Sequence, residues 1–336
     1  MVPSQGDGLA VAVRGLQKTY ESGRGRVEAV RGIDLEVRPG ETFGFLGPNG
    51  AGKSTTIKIL CTLTDPTGGE ARVAGFDVVR ERDAVRRRIG LVFQEPTLDG
   101  YLTAEQNLRF HGELYGVDRR TAAARRDEVL GMVGLADRRG SLVQTFSGGM
   151  RRRLEIARGL LHSPQVLFLD EPTIGLDPQT RASIWAYLRD LHDRQEVTVF
   201  VTTHYMDEAE HCDRIAIMNE GRIVALDTPQ ALKASVGKDR VQLSTDDDDR
   251  AVTELRERFG LEAAVREGLV TVAVPEGAAF VPQLFAQLTV PVRAVTVTRP
   301  SLDDVFLAYT GRTIRDAEAA SGRGAGPMAA MAAGRR

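Results

Sequence analysis

Short apolar runs recur through the first two thirds of the chain, and segments with helical spacing lie between several of them. ETFGFL, residues 41–46, reads as a strand, and the following STTIKILCTL, residues 54–63, places its apolar side chains at helical intervals. IGLVF at 89–93, VLFLD at 166–170 and VFVTT at 199–203 are short and largely apolar, as strands buried on both faces of a parallel sheet are. YLTAEQNLRFHGELYG and TAAARRDEVLGMVGL show helical spacing without strand alternation. Residues 9 to about 90 and 160 to about 225 are therefore expected to build one core around a largely parallel sheet, with residues 95–158 as an inserted helical arm.

After ALKASVG the pattern changes. VQLST, LEAAV, LVTVAV and VRAVTVT alternate as strands do, while AVTELRERF, AAFVPQLFAQL and SLDDVFLAYTG have helical spacing. The order β-α-β-β-α-β plus a final helix predicts a small ferredoxin-like α+β domain over residues 240–310, following a first domain over 9–235. On the final helix Leu302, Val305, Phe306 and Tyr309 share a face suited to docking. The four acids Asp246 to Asp249 read as a solvated turn that starts a helix rather than a metal site. The Gly- and Ala-rich segment 317–336 is expected to be a disordered tail, and no internal repeat is visible.

Candidate chemistry is concentrated in a few strings. Residues 47–55, GPNGAGKST, fit G-x-x-x-x-G-K-[ST] and lie between a strand pattern and a helix pattern, the context that phosphate-binding loop requires. The loop of Gly47, Pro48, Asn49, Gly50, Ala51, Gly52, Lys53, Ser54 and Thr55 is the candidate cofactor site, its backbone N–H groups wrapping phosphates while Lys53 reaches the β and γ oxygens. Ser147, Gly148 and Gly149 open a second helix, RRRLEIARGLL, whose N-terminus favours an anion, although Ser147 alone reads equally as an N-cap. VLFLD delivers Asp170 to the carboxyl edge of a sheet, with Glu171 next. Asp170 and Ser54 suit Mg²⁺, which takes few protein ligands plus substrate phosphates, and this leaves Glu171 as a base.

With these motifs in this order, the chain resembles the ATP-binding subunit of ABC transporters over about residues 9–235. The resemblance implies an α/β P-loop NTPase fold with a helical subdomain, and ATP with Mg²⁺ bound by the loop at Ser54 and by Asp170. It implies that Glu171 polarises the attacking water. Gln94 matches the loop that touches metal and water and relays the nucleotide state to the membrane subunit, and His204 matches the histidine that contacts the γ-phosphate. It also assigns the SGG segment to completing the site of a second copy, and Asp177 in TIGLDPQT to communication across that dimer. Without the resemblance Gln94 reads as a solvated loop residue and His204 as a structural one. Tyr20 stacks on adenine by the same resemblance, or else is an ordinary edge-strand tyrosine.

The signature here is FSGGM where the family has LSGGQ, so Phe146 and Met150 depart from the pattern while Ser147 and the backbone donors remain. The strings SGGMRRRLEIARGLLHSP and RPSLDDVFLAYTGRTIRD look like the daunorubicin-resistance branch of exporter ATPases. That implies a separate membrane-spanning permease as partner, a peripheral position on the cytoplasmic side of the membrane, and export of a hydrophobic drug or antibiotic. The alternatives are an importer, a lipid or polysaccharide exporter, and a nontransport ATPase or ligand sensor. The first of the nontransport readings lacks the paired cassettes, coiled coil or zinc motifs such relatives carry.

Composition narrows the alternatives. At 336 residues two domains are the prior. No apolar run approaches the ~20 residues of a membrane span, and MVPSQGDG has neither the basic nor the apolar part of a signal peptide, so a cytosolic chain is expected. A net charge of −2 with dispersed basic residues speaks against nucleic acid as a partner. Arg86 to Arg88 read as a solvated helix face, and Arg151 to Arg153 as helix-surface ion pairs in preference to a source of positive field near the signature. Cys61 and Cys212 lack metal-ligand spacing and read as buried, reduced thiols.

Overall fold

The computed structural model describes residues 8–22, 25–195, 197–266 and 268–311, and divides into two compact units between Thr228 and Pro229. The expected tail at 317–336 lies outside the described residues.

In the first unit the strands are β1 (Val11–Ser22), β2 (Gly25–Val37), β3 (Thr42–Leu46), β4 (Gly68–Val73), β5 (Phe76–Asp77), β6 (Ile89–Val92), β7 (Val166–Asp170), β8 (Thr198–Thr203), β9 (Arg214–Asn219) and β10 (Arg222–Asp227). Its helices are α1 (Lys53–Leu60), α2 (Arg82–Arg86), α3 (Ala104–Leu114), α4 (Arg119–Met132), α5 (Gly148–Leu160), α6 (Pro178–Gln195) and α7 (Met206–Ala209). A six-stranded sheet has the order β10-β9-β3-β8-β7-β6, parallel except for β10. Strands β3, β7 and β8 are buried at every position, which explains their unbroken apolar runs. Phe43, Phe45 and Phe168 surround Phe200 at ring-centroid distances of 5.4, 5.6 and 5.3 Å. Each such buried ring contributes about 1.5–3 kcal/mol by leaving water.

Not all of this region follows the expected parallel plan. Strands β2, β1, β4 and β5, in that order, form a separate antiparallel sheet. The cause is visible in GRVEAVRGIDLEV, where apolar and charged residues alternate and β2 buries one face only.

The order β3-β8-β7-β6 sets the functional geometry. Parallel strands end on one edge, so the segments after Leu46, Thr203, Asp170 and Val92 emerge side by side. Helices α3 and α4 form the expected arm. A full capping box starts α3, with Thr103 accepting from Gln106 N and the Gln106 side chain accepting from Thr103 N. Asp118 caps α4 and Ser147 caps α5.

The second unit comprises α8 (Pro229–Val236), β11 (Asp239–Thr245), α9 (Asp248–Phe259), β12 (Ala263–Arg266), β13 (Leu269–Val274), α10 (Gly277–Gln287), β14 (Val292–Thr298) and α11 (Leu302–Thr310). Its sheet is antiparallel with the order β12-β13-β11-β14, the ferredoxin-like arrangement expected. Val241, Leu243, Leu255, Val270, Val272 and Leu284 fill its core. Asp247 caps α9, so the acidic run does start a helix. The edges of the sheet are the short β12 and the longer β14, which lies between Pro291 and the pair Arg299–Pro300. Helix α8, placed by sequence with the first domain, belongs to the second unit because it packs on α11. Of the predicted face of α11, Leu302, Val305 and Phe306 are buried; Tyr309 is exposed beside Ser235.

Candidate functional site

Gly52 opens α1 from a left-handed conformation, φ 109°, and a Cβ there would lie 2.3 Å from the Ala29 carbonyl oxygen. Glycine is required on both counts. As N-cap, Gly52 brings no side-chain bond to the first turn, and a helix start of this kind favours an anion. Lys53 is buried, and its Nζ donates to the carbonyls of Gly47 at 2.5 Å and Pro48 at 3.1 Å. Asn49 and Gly50 form the exposed tip of the loop.

Across the sheet edge, Asp170 Oδ1 accepts from Ser54 Oγ at 3.1 Å and from Thr202 Oγ1 at 2.6 Å. Glu171 is buried with φ 46°, a left-handed conformation rare outside glycine, and its N–H donates to the same Thr202 hydroxyl at 3.0 Å. One carboxylate oxygen lies 3.4 Å from Lys53 Nζ. The other lies 3.4 Å from His204 Nδ1, in close polar contact but without hydrogen-bond alignment. Burial pushes the Glu171 carboxyl up, but the His204 ring and the Lys53 ammonium together hold it below the usual glutamate value. Its charge therefore contributes stability above the ordinary glutamate range, and that stability is lost as pH falls through the lowered folded value.

A second layer fixes these groups. Glu208 is buried and accepts from the hydroxyls of Thr173 and Thr203, tying the turn after Glu171 to the end of β8 just before His204. Thr202 and Glu208 were not legible as site residues. A threonine inside an apolar strand gives no signal until its strand neighbour is known.

The remaining predicted residues lie in other settings. Gln94 is exposed two residues beyond β6, and Tyr20 lies on β1 with Lys18 Nζ 4.9 Å from its ring centre. Ser147 Oγ accepts from Met150 N, so it does cap α5, and both Ser147 and Gly148 are exposed. Asp177 accepts from Thr180 through N–H at 3.0 Å and Oγ1 at 2.6 Å, and the hydroxyl bond above all lowers its pKa. The two turns meet at Gly149, where a Cβ would stand 2.4 Å from Thr180 Cγ2.

Gly149→Ala is therefore expected to destabilise the chain by about 1–3 kcal/mol, the overpacking cost exceeding the ~1 kcal/mol gain in helix propensity. Thr180→Ser, which keeps the hydroxyl to Asp177 and removes the methyl, should restore most of the loss in the double variant. Denaturant unfolding of the three proteins checks this.

The arginine run is not the expected set of helix-surface ion pairs. Arg152 is buried and pairs with buried Glu155 at 3.0 Å, because α5 turns this side onto β6 and the segment after β7. Cys61 and Cys212 are buried and free, and burial raises both thiols.

A buried ammonium, a helix start without a side-chain cap and a carboxylate–hydroxyl pair converge at one sheet edge, and this set fits a magnesium-bound nucleoside triphosphate. Comparison with known proteins agrees. The sequence matches the ABC transporter family over residues 30–174, and the family described as ATP-binding protein DrrA1-3-like, C-terminal domain, over residues 228–310. It is 41% identical to the daunorubicin resistance ATP-binding protein DrrA3 of Streptomyces coeruleorubidus, over 93% of this chain and 99% of that protein. It is 38% identical to the linearmycin resistance ATP-binding protein LnrL of Bacillus subtilis, over 90% of this chain and 98% of the other. A dimeric ATP-binding cassette solved with ADP and Pi superposes with a TM-score of 0.59 at 30% identity, covering 65% of this chain and 98% of that one. The chain belongs to the ATP-hydrolysing ABC transporter ATP-binding proteins, within the group related to daunorubicin-resistance ATPases.

Proposed function

We propose that two copies of this chain sandwich two ATP molecules and drive a separate membrane-spanning permease that exports a hydrophobic drug or antibiotic. The observation that carries the reading is the convergence of Lys53, Ser54, Asp170, Glu171 and His204 at the carboxyl ends of adjacent strands. In this reading the loop from Gly47 to Thr55 wraps the phosphates, with Lys53 on the β and γ oxygens. Ser54 and Asp170, with Gln94, hold Mg²⁺, which neutralises phosphate charge when bound. Glu171 orients and polarises the attacking water, His204 contacts the γ-phosphate, and Tyr20 stacks on adenine. Ser147, Gly148 and Gly149 complete the ATP site of the second copy, and Asp177 links the two sites.

Support for a pair comes from the dimeric cassette with which the fold superposes. Support for drug export comes from relatives named for resistance to daunorubicin and to linearmycin. Kinship with ABC transporter ATP-binding proteins supports assigning the transport path to another subunit and this chain to its cytoplasmic face. No helix among the described residues is long and apolar enough to cross a membrane.

Reconstitution with the membrane protein that co-purifies should give ATP-dependent efflux from vesicles. ATP-dependent accumulation would instead indicate an importer. Ligand binding by the second unit without stimulated turnover would indicate a sensor.

A further inference from the structure

The side chain of Arg152 uses every donor it has. Nε donates to the Pro172 carbonyl at 2.6 Å, Nη1 to the Phe93 carbonyl at 2.5 Å and to Glu155 Oε2 at 3.0 Å, and Nη2 to the carbonyls of Asp170 at 3.2 Å and Glu171 at 3.3 Å. A guanidinium has five N–H groups in a planar fork, and all five are accounted for. Three consecutive carbonyls at the end of β7 thus converge on one side chain from α5. The fork also spans to the residue immediately before Gln94.

Two further residues of the same helix grip the other side of the Gln94 loop. Glu155 Oε1 accepts from Thr97 N at 2.7 Å, and Arg158 donates to the Thr97 carbonyl at 3.0 Å and to its hydroxyl. Arg152, Glu155 and Arg158 recur every three residues and so face one side of α5. The loop from Gln94 to Pro96 is bracketed front and back by the helix whose N-terminus is the SGG turn.

The strain at Glu171 gives this a chemical meaning. A non-glycine residue at φ 46° persists only where its surroundings impose it. Thr202 holds its N–H and Arg152 its carbonyl, so both peptide groups around its Cα are fixed. We propose that Arg152 is a positioning residue for hydrolysis: through the carbonyls of Asp170, Glu171 and Pro172 it aims the Glu171 carboxylate, and through Phe93 and Glu155 it makes that aim depend on the Gln94 loop and the signature helix. The proposal rests on Glu171 being the water-polarising group.

Lysine keeps the charge opposite Glu155 but lacks the planar fork and cannot serve all five acceptors. Arg152→Lys is therefore expected to lower kcat at least about tenfold, with KM for ATP within about threefold of the parent. The double variant Arg152→Gln, Glu155→Gln replaces the buried ion pair by amides of lower desolvation cost and guards against misfolding of the single variant. It should show the same split between kcat and KM. In the Glu171→Gln background, single-turnover hydrolysis should fall less than about threefold further when Arg152→Lys is added, because residues that act as a unit are not additive.

Parent-level kcat in either Arg152 variant would overturn the proposal. So would a loss in which KM rises along with the fall in kcat and melting temperature, the pattern of a merely structural residue. Near-normal turnover by Glu171→Gln alone overturns the underlying reading of the site instead, so the two failures are distinguishable.

Discussion

Replacing Glu171 by Gln is expected to slow steady-state ATP hydrolysis by about 10²–10⁴-fold while leaving ATP binding intact. Glutamine has nearly the same shape, so the contact near His204 and the packing around the buried side chain survive. What disappears is the anion that orients and polarises water and that sits 3.4 Å from Lys53 Nζ. Lys53 keeps its bonds to the Gly47 and Pro48 carbonyls, so the phosphate loop retains its form. A cassette that binds but does not cleave should accumulate in the closed pair. Sedimentation of the variant is expected to show a dimer with ATP and a monomer with ADP. Turnover near the parent rate, or full activity from an obligate monomer, counts against the assignment. Because the Glu171 carboxyl is held below the usual glutamate value, its protonation should not set the acid limb of the parent's rate profile near that value.

Lys53→Ala is expected to remove ATP binding itself, by about 10²-fold or more in affinity, since charge-assisted bonds to two phosphate groups are lost together. The substitution also strips a buried carboxylate of its cation. Burial then pushes the Glu171 carboxyl up without the opposing ammonium, leaving His204 as its remaining partner. Two readouts separate these effects. ATP should no longer raise the melting temperature of Lys53→Ala, whereas it should do so for Glu171→Gln. Retention of the ATP-induced rise in a folded Lys53→Ala protein would place the phosphates elsewhere.

Much of this arrangement was legible because buried parallel strands are written as unbroken apolar runs. VLFLD and VFVTT declare themselves, and the residue that ends a parallel strand is delivered to the ligand edge whatever its type. The second unit was legible for the opposite reason: its half-covered strands alternate, and its helices separate them cleanly. The antiparallel sheet of β1, β2, β4 and β5 was not anticipated, since pairing partners of alternating strands are set by tertiary context rather than local pattern. Arg152 was misread for a related reason. A run of three arginines looks solvated, and only the three-residue offset to Glu155 hinted that one of them turns inward with a partner.

Strand β14 has one further consequence. VRAVTVT is an apolar-rich sheet edge with one side of its backbone unpaired within the sheet, the form of surface that recruits a matching strand from another molecule. Its flanks carry Pro291 before it and Arg299–Pro300 after it, with Arg293 near its start held by Asp246 at 2.5 Å. Prolines offer no N–H to an incoming ladder and arginines cannot be stacked in register without repulsion, so the edge is closed at both ends to growth. For the pair of copies proposed above, the second unit thus carries a built-in guard against meeting in the wrong way.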